Sequence, residues 1–215
     1  MRILKTLLTL AIVFAPAGLA RAATVVNGLT VGIANSGGAN GTHFHSTGGD
    51  AEVGSYFTFE TVRGTSEFDL TGVVAGTATM TFDLKNFGNY GQTKFNGQIN
   101  VLAYQGDNAN ANSDFQAASF ASGPSFNTTA LIVGDTVTLD VTAILAQALT
   151  NGYTSLGFRL EAVNPGDHHA VLFNNFQLTV ADPVAPQPNG VPLPAAVWAG
   201  LALGGAVFAR KAKVV

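Results

Sequence analysis

The chain has 215 residues, of which only 11% are charged, 47% are hydrophobic and 25 are glycine. Such a composition fits neither a disordered chain nor a helical bundle, and the lack of cysteine excludes disulfides and zinc–thiolate sites. All thirteen acidic residues fall between Asp50 and Asp182 against four basic ones, Arg63, Lys85, Lys94 and Arg159, a net of −9 for that interval. This balance disfavours nucleic acid and anionic membranes as partners and favours divalent cations.

The N-terminal segment, residues 1–22, has the three parts of a secretory signal: positive Arg2 and Lys5, an apolar stretch from Leu7 to Leu19, and small residues in Ala20-Arg21-Ala22. The mature protein is expected to begin at Ala23. The alternative, a spanning anchor, needs about 20 apolar residues, more than this stretch supplies.

From Ala23 to Asp182 the dominant pattern is period-two alternation. It is clearest at Thr77 to Leu84, where Ala78, Met80, Phe82 and Leu84 face one way and Thr77, Thr79, Thr81 and Asp83 the other. Strands are also predicted at Ser55 to Val62, Gln98 to Tyr104, Thr136 to Val141 and Ser155 to Glu161, with Val25 to Ile33 first and Ala170 to Val180 last. In the last strand the apolar phase shifts across Asn174 and Asn175, which predicts a β-bulge. One short helix is expected, with Val141, Ile144, Leu145, Ala148 and Leu149 on one face and Asn151-Gly152 as its end. The fold expected is all-β, an antiparallel β-sandwich of jelly-roll type with one short helix, flanked by a single hydrophobic helix at each terminus.

Ser66-Glu67-Phe68-Asp69-Leu70 before the alternating strand, and Thr138-Leu139-Asp140-Val141-Thr142 before the helix, resemble the DNRLRE-type carbohydrate-binding sandwiches of secreted bacterial proteins over roughly residues 65–162. That resemblance implies the sandwich fold and carbohydrate binding, although the family's signature arginines have no clear copies here.

Four histidines come in two pairs, His43 and His45 in a Gly-rich loop, and His168 and His169 before the last strand. If the first and last strands pair antiparallel, both loops lie at one end and the rings converge. With Asp50 and Asp167 nearby, they are the candidate metal ligands, against the plainer reading of solvated loop residues. Calcium is the candidate cofactor, because the domain is acidic and Asp107, Asn108, Asn110, Asn112 and Asp114 form an oxygen-rich loop that is not an EF-hand. Tyr56, Tyr90, Tyr104 and Tyr153 are the aromatic residues available to stack on sugars. Glu67 and Asp69 share a strand face, a spacing common in solvated strands, and no catalytic fingerprint occurs, so no enzymatic activity is expected.

Pro183, Pro186 and Pro188 mark a linker over residues 183–190. Residues 191–215 then run from Val191-Pro192-Leu193-Pro194-Ala195 through an apolar stretch, Ala196 to Ala209, to basic Arg210, Lys211 and Lys213. Basic residues after an apolar run hold that end on the cytoplasmic side of a membrane. This tail resembles the PEP-CTERM sorting signals of Gram-negative bacteria in their Val-Pro-Leu-Pro-Ala variant. The resemblance implies processing by an exosortase, transient membrane anchoring by the C-terminal helix, and delivery to the cell surface or extracellular matrix, often among extracellular polysaccharide. A plain C-terminal anchor is the alternative. The function expected is therefore that of an exported, non-catalytic surface protein associated with extracellular polysaccharide. A specific carbohydrate-binding module and a metal-dependent hydrolase built on the histidine loops are the rivals.

Overall fold

A computed structural model describes residues 22–57, 60–88 and 91–181. Nearly all of the predicted signal segment, the Pro-rich linker, the Val191–Ala195 motif, the apolar helix expected at each terminus and the basic tail lie outside them, as does Tyr90. Among the described residues no helix is long and apolar enough to cross a membrane.

The described residues form thirteen strands: β1 (Thr24–Asn27), β2 (Leu29–Ala34), β3 (His43–Ser46), β4 (Ala51–Phe57), β5 (Glu60–Asp69), β6 (Thr77–Asn86), β7 (Thr93–Lys94), β8 (Gln98–Gln105), β9 (Ser119–Ser122), β10 (Phe126–Asn127), β11 (Thr136–Asp140), β12 (Ser155–Ala162) and β13 (His169–Ala181). One α-helix, α1 (Thr142–Thr150), and a 3-10 turn at Asn112–Gln116 complete the described elements. Pairing is antiparallel except for the short β7–β13 bridge, in one curled sheet with the order β10-β8-β12-β5-β4-β13-β6-β11.

The curl arises where single strands change partner. The segment expected as one first strand is divided at Gly28: β1 pairs with β13 and β2 with β5. A β-carbon at Gly28 would sit 2.1 Å from Ser66 Oγ and 3.0 Å from Phe176 Cβ, so only glycine fits between the two halves. β4 switches likewise, pairing with β13 through Ala51 to Gly54 and with β5 from Gly54 onward. The strand predicted at Ser55 to Val62 is in fact the end of β4 and the start of β5. The apolar–polar pattern of the sequence continues past the end of β4, so periodicity alone does not separate β4 from β5, which pair antiparallel.

The two halves face one another. Ala78, Met80, Phe82 and Leu84 of β6 are buried as the alternation predicts, together with Phe68, Leu156, Phe158, Ile99 and Val101 from the opposite half. Phe126 of β10 meets Phe82 at 5.5 Å and Phe173 at 5.7 Å between ring centroids, which ties the halves together. α1 adds Ile144, Leu145 and Ala148 to this core. It stops where the sequence predicts, with the N–H groups of Gly152 and Tyr153 returning to the carbonyls of Leu149 and Ala148.

The outer face of β2, β5, β12 and β8 is also covered. Residues 106–117 lie across it, placing Phe115 with Val31 and Ile33 in a second, smaller apolar cluster.

Candidate functional site

The clearest concavity is a cleft of about 310 Å³ at the seam between the halves. Two bulges build it. On β13, Asn174 pairs with Asp83 and the next pair is Gln177 with Thr81, so three steps along β13 match two along β6. On β6, Asn86 and Leu84 oppose consecutive Leu172 and Phe173, which leaves Lys85 as the extra residue. Bulges re-aim side chains out of the pleat. Here they turn Asn174, Asn175, Gln177 and Lys85 toward a space also lined by Asn27 and Asp50. The floor is the Gly28 crossover and Phe176, and the Gly48-Gly49 turn forms one wall. Asn175 takes a left-handed backbone, φ 55°, a conformation that asparagine tolerates better than most residues.

The polar groups of the cleft are half-satisfied in a regular way. Gln177 Nε2 donates to Asn27 Oδ1 at 3.3 Å, leaving the Asn27 amide N–H groups and the Gln177 carbonyl. Asn175 Nδ2 donates to Asp83 Oδ2 at 2.9 Å, leaving its own carbonyl. That bond, with the one from Thr136, holds Asp83 below the usual carboxylate range. Lys85 Nζ bridges both oxygens of Asp50 at 2.9 and 2.7 Å, so the one charged pair is internally neutralised. The result is a wall of adjacent donors and acceptors with no net charge of its own.

The bulge at Asn174–Asn175 was readable in the sequence, but its role as a site wall was not. Of the cleft residues only Asp50 is among the sequence candidates, and it faces Lys85 and not a histidine.

The histidines occupy a different region. His43 and His45 lie on strand β3, not in a loop. Their rings are 6.2 Å apart, His45 is 5.2 Å from Tyr56, and Tyr56 is 6.0 Å from His168. β1 and β13 do pair antiparallel, and His43, His45, Tyr56 and His168 follow one another as a row of neighbouring rings. The fourth turns back to its own loop, where His169 Nδ1 donates to the Asp167 carbonyl at 2.6 Å. Two rings face carboxylates: His45 Nδ1 donates to Glu52 Oε2 at 2.8 Å with both side chains buried, and His43 Nε2 lies 3.1 Å from Glu60 Oε1. Glu52 Oε1 accepts a further bond from Gln92 at 3.1 Å. Among the described residues no group of three or more His, Asp or Glu side chains is arranged to hold a metal ion.

A third polar cluster lies beneath residues 106–117. Glu67, Gly157 and Tyr104 stand in register across β5, β12 and β8. Glu67 is 2% exposed and Tyr104 1%, so the sequence expectation of a solvated Glu67–Asp69 pair holds only for Asp69, and Tyr104 is no platform for a sugar. Glu67 Oε2 accepts from the backbone N–H of Asp107 at 2.9 Å, of Asn108 at 2.7 Å, and from Ser155 Oγ at 3.3 Å. Asp114, also buried, accepts from the Ala111 N–H at 2.9 Å. Burial pushes its pKa up to about 6, with Glu67 and Asp107 adding to the effect against that hydrogen bond and Arg159. The Tyr104 phenol is driven far above its usual range by burial first, then by Glu67 and Asp114. Of the remaining tyrosines, Tyr153 meets Phe120 edge-on at 5.3 Å and packs against the core.

No protein-family model matches this chain, and no curated protein matches it. Among solved structures, the cleaved adhesin domain of Lys-gingipain from Porphyromonas gingivalis is 15% identical, with 73% of this chain and 99% of that chain covered at a TM-score of 0.34. A mutant of CBM29-2, a family 29 carbohydrate-binding module, is 13% identical, with 73% and 99% covered at a TM-score of 0.29.

Proposed function

We propose that this chain is an exported, non-catalytic surface protein whose β-sandwich, of jelly-roll type, binds a neutral glycan of an extracellular polysaccharide in the bulge cleft. The observation that carries the reading is the half-satisfied amide wall. A sugar hydroxyl both donates and accepts, and the free N–H groups of Asn27 beside the free carbonyl of Gln177, with the Asn175 carbonyl and the Asn174 amide nearby, offer both partners to vicinal hydroxyls. The net charge of −9 between Asp50 and Asp182 favours a neutral polymer over an anionic one. The cleft has no exposed aromatic ring among its lining residues, so recognition rests on hydroxyls more than on stacking.

Export is supported by the signal-like N-terminus and by the Val191–Ala195 motif with its apolar run and basic end. The exosortase is the partner that this tail implies. Expression in an exosortase-bearing host and in its exosortase deletion tests the routing: the tail is lost from the product only in the first. Identical masses from both hosts count against it. Glycan binding is tested separately by titrating the purified protein with neutral and uronate-containing polysaccharides, where saturable binding to a neutral polymer is expected.

A further inference from the structure

Two of the most deeply buried polar atoms lie beneath residues 106–117, and neither has a hydrogen-bond partner: Glu67 Oε1 and the Tyr104 hydroxyl. Their owners are at most 2% exposed. A buried acceptor left unmatched costs about 1 to 3 kcal/mol, more when it is charged, so a pair of them needs an explanation.

The surrounding charges sharpen the point. Three carboxylates, Glu67, Asp114 and Glu161, share this face with two guanidiniums, those of Arg63 and Arg159. Both guanidiniums are committed to Glu161, Arg159 Nε at 2.7 Å and Arg63 Nε at 3.3 Å. Arg159 otherwise donates to the carbonyls of Asp114 and Ala117 at 3.3 and 2.8 Å, while Arg63 donates to the Phe115 carbonyl and lies over the Phe115 ring. Among the described residues no cation is paired with the carboxylate of Glu67 or of Asp114. The Tyr104 ring passes over Gly157, which carries its hydroxyl toward Glu67 in the next strand, near enough for Glu67 to act on it by charge and by a weak hydrogen-bond contact, but outside the geometry that would satisfy either atom.

We propose that Glu67 Oε1, the Tyr104 hydroxyl and the Asp114 carboxylate bind a hard divalent cation of the calcium class, with backbone or Asx oxygens of residues 107–112 completing its shell. Every side-chain donor offered is an oxygen, the set that calcium takes and that transition metals do not prefer. The cation supplies a direct positive partner to Glu67 and Asp114, with which neither Arg63 nor Arg159 forms an ion pair. It also ties residues 106–117 to the sheet, because Glu67 Oε2 already holds the amides of Asp107 and Asn108. This site is separate from the glycan cleft and does not depend on it.

The test uses calcium and terbium with the purified protein. In wild type, millimolar calcium raises Tm over chelator by on the order of 5 °C, and terbium gives tyrosine-sensitised emission that calcium displaces. Glu67→Gln keeps an acceptor for the Asp107 and Asn108 amides but loses the calcium shift. Tyr104→Phe abolishes the terbium emission, whereas Tyr153→Phe leaves it. Asn175→Gly, in the cleft, retains the full calcium response. An unchanged wild-type Tm with no sensitised emission overturns the proposal, leaving protons or water to satisfy these oxygens. A calcium shift that survives in both Glu67→Gln and Tyr104→Phe overturns it too, by moving the cation elsewhere.

Discussion

The Tyr104 ring lies so close over the backbone of Gly157 that a β-carbon there would fall 2.2 Å from the ring's Cζ atom. Gly157 stands between Glu67 and Tyr104 in the sheet register, so its missing side chain is what lets the phenol reach across to the neighbouring strand. Gly157→Ala is expected to destabilise the fold by about 3 kcal/mol, because a buried ring with no room to retreat must shift. Chemical denaturation checks it, and a cost below about 0.5 kcal/mol would contradict this packing.

The His45–Glu52 pair and the Asp50–Lys85 pair have similar distances and different weights. His45 and Glu52 side chains are 6% and 0% exposed, whereas Lys85 is 45% exposed. Glu52→Ala strips a buried carboxylate from both His45 and Gln92 and is expected to cost on the order of 3 kcal/mol or more. Lys85→Met is expected to change stability by less than about 1 kcal/mol. Urea unfolding of the two variants side by side decides between them.

Asp114 sets a pH dependence in the metal-free protein. Its folded pKa, about 6, lies above the ordinary value of 3.8, so the folded state takes up a proton before the unfolded state does. Stability from this group therefore rises as pH falls from 7 toward 4, by at most about 3 kcal/mol. Asp69, Asp83 and Asp140 have depressed values and act in the opposite sense, giving stability that is lost only below about pH 4. Melting in chelator at pH 7 and pH 5 is expected to show wild type gaining at pH 5. Asp114→Asn should be more stable than wild type at pH 7 and nearly flat between the two.

Much of this fold was legible because single strands with one buried face announce themselves. β6 shows the predicted alternation, α1 ends at Asn151-Gly152, and the phase shift at Asn174–Asn175 is the observed bulge. What was not legible depends on partners distant in sequence. The switches of β1–β2 and β4 between halves turn on Gly28 and Gly54, whose constraints come from Phe176 and His169. No local pattern shows that Glu67 is buried, because residues 106–117 cover it from 40 positions away. The cleft was missed for the same reason: its walls come from the β1–β2 crossover, the β3–β4 turn, β6 and β13, and only the bulge has a local signature.

Side-chain variants separate recognition from folding within the cleft. Asn175→Ala keeps the β-carbon at φ 55° but removes the amide that makes this backbone tolerable, and it loses the bond to Asp83, so it is expected to cost about 1 to 2 kcal/mol. Asn175→Gly restores the backbone freedom and should recover part of that loss in thermal melts, while its effect on ligand binding remains.

The most direct test of the glycan cleft is binding of the purified protein to an array of neutral glycans, run in parallel with Asn174→Ala, Asn175→Gly and Gln177→Ala. Wild type is expected to bind at least one neutral glycan, and each variant to bind it about tenfold more weakly, the equivalent of one lost hydrogen bond of about 1.4 kcal/mol. Glycan binding of equal strength in all four proteins, or none above background in wild type, would contradict that expectation.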